Sequence, residues 1–530
     1  MTIYWPDSPH AAEPENTGLA FQVPDEVLQR HGARVLDPAT ATTGLAGPAL
    51  QPTAYVANVL LVPIGLLRSD RGTLNNLLAV VKMTIDPDFP VPDLPDDDVQ
   101  DQAVPVPLTP SEGLVTIDAW TAVQAIRANK EIGPLVGLDH LMFASLLGDL
   151  SGVPGAIQGF APPFGLANPV ADGYLNGPVA LEMPPLDPAP PAALKLGRSP
   201  VVAVLDTGIG QNSWLDITQP MSGQPGQHVV VDGAVQAAVA QAGQGLLKQG
   251  HRVEVMNDAK DQPLTRNPFI GTQDWCFGHG LFCAGIIKQI APDATVLAVR
   301  VMGSDGVARE SAVVAALQAL VARVDRALGT ADMAEMVDVV SLSMGCAFER
   351  PVADEKTSAI AVQIRELRKR GVIVTAAIGN AASNRRFFPA SLATIDDGVR
   401  PPVISVGALN PNGSIALFSN ESPTCYASGV NVISTFPQDA NASRQPLVRV
   451  AARNAQKLPP YRQTPDVDDH TLSPFAVWTG TSFAAPHVAA HLAKALQHME
   501  SAGATAAERQ EQARVRAEKA IDQVRTAAHH

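Results

Sequence analysis

The chain has 530 residues and a mass of 55.6 kDa, with 46% hydrophobic and 17% charged residues. That is enough apolar material for two or three domains, and it excludes a disordered or collagen-like chain. The net charge of −14 arises in residues 1–197, where 22 acidic side chains face 8 basic ones, while the rest balances at 30 against 30. Neither part has the basic field that DNA or RNA binding requires, so no nucleic acid partner is expected.

The N-terminus, MTIYWPDSPHAAEPENTG, lacks a basic stretch followed by an apolar one, so no secretory signal is read and a cytoplasmic location is expected. Residues 1–50 are polar, with one short amphipathic piece, PDEVLQRHG. Residues 51–149 alternate apolar strands (YVANVLLVPIG, QAVPVPL) and helices (TLNNLLAVVKM, DAWTAVQAIRANK) around an acidic Pro/Asp loop, which predicts a small α+β domain. The apolar run Tyr55 to Leu67 is too short to cross a bilayer and contains Pro63, so no membrane partner is expected. Residues 150–197 are crowded with Pro and Gly and read as a linker.

From residue 198 to 530 the texture changes. Continuous β-branched runs (201–208, 295–302, 337–345, 371–380, 401–409) alternate with amphipathic helices, the pattern of a parallel sheet buried on both faces and hence of an α/β fold. A last Ala-, Arg- and Glu-rich stretch, 505–526, predicts a C-terminal helix. In such sheets reactive groups gather at the carboxyl ends of strands and the amino ends of the following helices. Cys276, Cys283, Cys346 and Cys425 have no CxxC spacing and are expected as free thiols, neither a disulfide framework nor a zinc site.

Three residues carry chemistry. Asp206 ends an apolar strand before Thr207-Gly208; His279 stands between Gly278 and Gly280 at the start of an apolar helix; Ser482 opens a helix whose Pro486 suits only its amino-terminal part. Singly, each has a structural reading as turn, packing or capping residue. Together, their order matches one known order of the catalytic triad. The motifs VVAVLDTGIG, GHGLFCAGI, AAIGNAA and GTSFAAPHVA resemble those of subtilisin-like serine proteases over roughly residues 198–500.

The resemblance implies a three-layer αβα fold with a mostly parallel central sheet, and a serine endopeptidase acting through an acyl-enzyme without cofactor or metal. Ser482 is then the nucleophile, His279 its base and Asp206 the group that orients and stabilises the imidazolium. Asn380 is the implied oxyanion donor. Ser343-Met344-Gly345 and Ala377-Ile378-Gly379 resemble the segments that bind substrate backbone. The family's calcium loop is not seen after the His279 helix, and Phe483 stands where Met is common.

The expected partners are a peptide or protein substrate and the chain's own N-terminal domain, which has the order and size of an inhibitory prodomain, with any cut expected in 150–197. Insertions at 211–273 and 436–474 are expected to rim the cleft or decorate the surface. Arg385 and Arg386 suggest a preference for acidic substrates. Two rival readings are a catalytically silent peptide-binding scaffold and a narrow maturation protease for one partner.

Overall fold

A computed structural model describes residues 3–6, 23, 25–41, 50–91, 102–144, 177–223, 228–248, 250, 253–262, 274, 276–331, 333–440 and 473–528. The first part of the expected linker, parts of the 211–273 insertion and residues 441–472 of the second insertion lie outside them. The N-terminal part contributes β1 (Ala33–Leu36), β2 (Thr53–Pro63), β3 (Met83–Ile85), β4 (Ala103–Pro110) and β5 (Gly137–Ala144). After β6 (Gly177–Pro178) come β7 (Val201–Asp206), β8 (Val229–Val231), β9 (Thr295–Arg300), β10 (Val307–Arg309), β11 (Val339–Leu342) and β12 (Met344–Gly345). The remaining strands are β13 (Ile373–Ala377), β14 (Val403–Leu409), β15 (Cys425–Ser428), β16 (Val432–Thr435) and β17 (Phe475–Trp478).

The main sheet runs β15, β14, β13, β11, β7, β9, β8, and every pairing in it is parallel. Its interior strand β7 is buried at all six residues, which is why it reads as an unbroken apolar run. Alternate side chains enter opposite layers. Val202 and Val204 join a core with Leu281, Ile286, Val488 and Leu492, from the helices His279–Ile290 and Thr481–Leu496. Val201, Ala203 and Leu205 join another with Val313, Leu317 and Ile364, from the helices Glu310–Gly329 and Ala359–Lys369. The result is the three-layer αβα architecture that the sequence implied. The helix Ala506–Ala528 closes one side, burying Ala517, Ala520, Ile521 and Val524.

The N-terminal part forms an antiparallel sheet backed by the helices Arg71–Ala79 and Ala119–Arg127, with Leu60, Leu74, Val106, Trp120, Val123 and Ile126 in its core. This sheet is not self-contained. Its order is β10, β5, β2, β4, β3, with β1 on β2 and β12 on β5, so two strands of the second half complete it. β5 has no counterpart in the sequence reading; its Asp139 and His140 interrupt the apolar pattern. Both are buried because the second half of the chain supplies their partners.

The second half of the Pro/Gly-rich stretch also packs on this half. β6 pairs with β17, Trp214 Nε1 donates to Pro184 O at 2.9 Å, and Ala189 N donates to Asp293 at 2.7 Å. No helix among the described residues is long and apolar enough to cross a membrane.

Candidate active site

Asp206 is the last residue of β7 and His279 the first of its helix. His279 Nδ1 and Asp206 Oδ1 are 2.7 Å apart, with His279 0% and Asp206 1% exposed. Two glycines permit this approach. A Cβ at Gly280 would stand 2.4 Å from Gly208 O, and Gly208 has a φ of +103°, with a Cβ there 2.4 Å from Ala259 O. Asp206 Oδ1 also accepts from Thr207 N at 2.7 Å, which leaves the carboxylate one orientation.

A residue that the sequence reading passed over ties both groups together. Asp261, in the 211–273 insertion, accepts from Thr207 Oγ1 and from Gly278 N, each at 2.7 Å, and Thr207 Oγ1 in turn accepts from Gly280 N at 3.1 Å. Asp261 is thus joined to the neighbours of both Asp206 and His279. Burial pushes its carboxyl up to about 7.

Ser482 is the second residue of its helix and 0% exposed. Its hydroxyl donates to Ser343 O at 3.3 Å, and Ser343 Oγ donates to Ser482 O at 2.8 Å. His279 Nε2 is buried without a hydrogen-bond partner among the described residues. Asn380 accepts through Oδ1 from Thr481 N at 2.9 Å, which fixes the amide beside the nucleophile and turns its NH2 away from Thr481. Trp478 and Phe483 pack against the imidazole, with ring centroids 5.6 and 5.2 Å from it, and Phe282 packs on both of them.

All four cysteines are free and buried. Cys283 lies between Asp206 and Ser482, its Sγ 3.9 Å from Asp206 Oδ2 and 3.7 Å from Ser482 O. Burial and the Asp206 charge push its thiol well up, so it is not a nucleophile. Asp206, His279 and Cys283 offer three ligand atoms within 4.8 Å of one another. A metal there would occupy the carboxylate and imidazole that base catalysis uses, so the group fits an inhibitory ion better than a cofactor.

The two segments named as substrate strands differ. Met344 and Gly345 form β12 and pair with Ala144 and Phe143 of β5, while Val307, Ala308 and Arg309 pair with Phe143, Met142 and Leu141 on its other edge. Ala144 N also donates to Gly306 O at 2.8 Å. The chain's own β5 therefore lies between two strands, ending beside Ser343. At Ala377-Ile378-Gly379 the backbone is committed internally: Ile378 N donates to Val406 O, Asn420 Nδ2 to Ile378 O, Asn420 N to Gly379 O and Gly379 N to Thr481 Oγ1. Arg386 is spent on the buried Glu355, at 2.5 to 3.0 Å, which removes it as a free cation for acidic substrates.

The sequence model of the subtilase family matches residues 197–524, and the chain belongs to that family. Subtilisin BL of Lederbergia lenta is 29% identical over 177 residues, which cover 31% of this chain and 56% of the relative. Subtilisin-like protease 4 of Trichophyton rubrum is 31% identical over 169 residues, covering 30% of this chain and 37% of the relative. The thermophilic serine proteinase of Bacillus sp. (strain AK1) is 26% identical over 223 residues, 40% of each chain. The match thus spans about half or less of these relatives. Among solved structures, a cold adapted subtilisin-like serine proteinase aligns at 20% identity and a TM-score of 0.33, covering 59% of this chain and 79% of that one.

Proposed function

We propose that the chain is a serine endopeptidase that cleaves peptide bonds through an acyl-enzyme and is held latent by its N-terminal domain. The observation that carries the chemistry is the 2.7 Å bond between His279 and Asp206, with Ser482 at a helix start beside Ser343. In the reaction Ser482 turns its hydroxyl from Ser343 O to His279 Nε2, which takes the proton as oxygen attacks the carbonyl. Asp206 holds the ring's other N–H and stabilises the imidazolium. The oxyanion meets the Asn380 NH2 and the free Ser482 N–H at the positive end of its helix. His279 then returns the proton to the leaving amine, and water repeats the cycle to release the acyl group.

Latency rests on β5. A strand of this chain occupies the place between β10 and β12 where an extended substrate gains its main-chain bonds, and Ser482 and His279 are fully buried. Phe143 lies opposite Gly345 and Ala144 opposite Met344, so β5 runs toward Ser343, whose carbonyl accepts from Ser482 Oγ. The bond proposed for self-cleavage is Ser145–Leu146, ahead of the 150–197 range expected from composition.

Intact mass spectrometry with a fluorophosphonate tests both parts. The processed chain is expected to gain one adduct and to show a new amino terminus at or near Leu146; Ser482→Ala is expected to do neither. A processed chain that takes no adduct removes the protease reading and favours the binding scaffold. A new terminus inside 150–197 removes the proposed register.

A further inference from the structure

Beyond the strand pairing, β5 carries two ionisable side chains into the body of the catalytic half: Asp139, which accepts from Ser311 N and Oγ, and His140. His140 Nδ1 stands 2.6 Å from Glu310 Oε2 and its Nε2 2.9 Å from Glu349 Oε2, with all three side chains 1–2% exposed. A carboxylate only accepts, so an imidazole bonded to two of them donates from both nitrogens and is the cation. Glu310 opens the helix behind β10, and Glu349 follows β12, so both belong to the part that remains when β5 leaves. Arg127 of the N-terminal part also holds Glu349, at 2.7 Å, and leaves with β5; Arg350 stays, engaged by Asp354 at 2.6 Å. Two residues further along β5, Met142 is buried in the apolar core with Met344, Cys346 and Phe348.

We infer that Glu310 and Glu349 form a cation subsite of the cleft, selecting substrates with a basic residue four positions before the one that takes Ala144's place. This rests on the reading of the chain as a protease whose cleft β5 fills. Removal of β5 leaves two converging buried carboxylates without their counter-charges, which is costly unless another cation enters. A substrate guanidinium or ammonium meets that need and gains charge-assisted hydrogen bonds. Arg309, whose Nη2 donates to His31 O at 2.9 Å, has the Asp139 charge beside it rather than Glu310.

The test uses the processed chain and quenched peptides Gly-Leu-Asp-X-Leu-Met-Phe-Ala-Ser-Leu, with X as Arg, Lys, Gln or Glu. The kcat/KM for Arg and Lys is expected to exceed that for Gln by about tenfold or more, with Glu lowest. Glu349→Gln should bring the Arg-to-Gln ratio of kcat/KM to within about twofold. Glu310→Gln is the second variant if Glu349→Gln does not fold, and the peptide series on the unaltered chain decides by itself. Equal cleavage of all four peptides by a chain that labels at Ser482 overturns the subsite and leaves the protease reading standing. Neither labelling nor cleavage overturns that reading and the subsite with it.

Discussion

At the scale of single residues, the proposed triad stands out in the sequence because each candidate sits inside a local pattern: a buried strand ending in Asp206, a Gly-flanked His279, a helix start at Ser482. Asp261 was not legible, since it lies in a polar insertion and acquires its role only where the fold brings Thr207 and Gly278 to its carboxylate, each 2.7 Å away. Asp261→Ala orphans two buried donors, at about 1–3 kcal/mol each. It should lower the melting temperature and slow fluorophosphonate labelling of Ser482, because both neighbours of the His279–Asp206 pair lose their tether. Unchanged labelling would confine Asp261 to a role in stability. His140 is the opposite case. Its role lies in partners 170 and 209 residues away, a distance at which no pattern in the sequence points to them.

Five of the seven strands of the main sheet were read within a few residues, because a strand buried on both faces is continuously apolar and needs no knowledge of its neighbours; the short edge strands β8 and β15 were not. β5 escaped for the converse reason. GLDHLMFA has polar residues in its first half, and its outer partners, β10 and β12, are three and two residues long. Only tertiary pairing makes it a strand. The junction of β7 with the His279 helix offers a test at this scale. Gly280→Ala places a methyl against Gly208 O, a backbone atom that cannot turn aside. The helix must shift, at about 1–3 kcal/mol, so the melting temperature should fall and labelling of Ser482 should slow together. A melting temperature equal to that of the unaltered chain would show that the helix start tolerates the methyl.

For the whole molecule, the two halves meet at a buried charged cluster: His140, Arg127 and Asp139 from one side, Glu310, Glu349, Asp354 and Arg309 from the other. Burial alone would push the His140 imidazolium down, but Glu310 and Glu349 raise it to about 10. A released imidazole has a pKa of about 6.5. A value raised by docking means that docking is strongest below about pH 6.5 and weakens as pH climbs through about 10, by about tenfold per unit. Burial also raises Asp139 and Glu310, which has the same sign; Glu349 is pushed up by burial but held below its usual range by His140 and Arg127. In the uncut Ser482→Ala chain, amide protection of β5 should therefore fall between about pH 6.5 and 9, and His140→Gln should flatten that response. Protection that does not change with pH would remove His140 as the group that titrates.

The sharing of β5 between the halves has a further consequence once the proposed cut is made. While the chain is whole, the blocking strand is tethered and re-enters the cleft at an effective concentration of roughly millimolar, whatever the amount of protein present. After the cut, return becomes a meeting of two separate molecules, and the same contacts hold or fail according to total concentration. Dilution itself then becomes the activating signal: a crowded stock stays silent, and a dispersed one works.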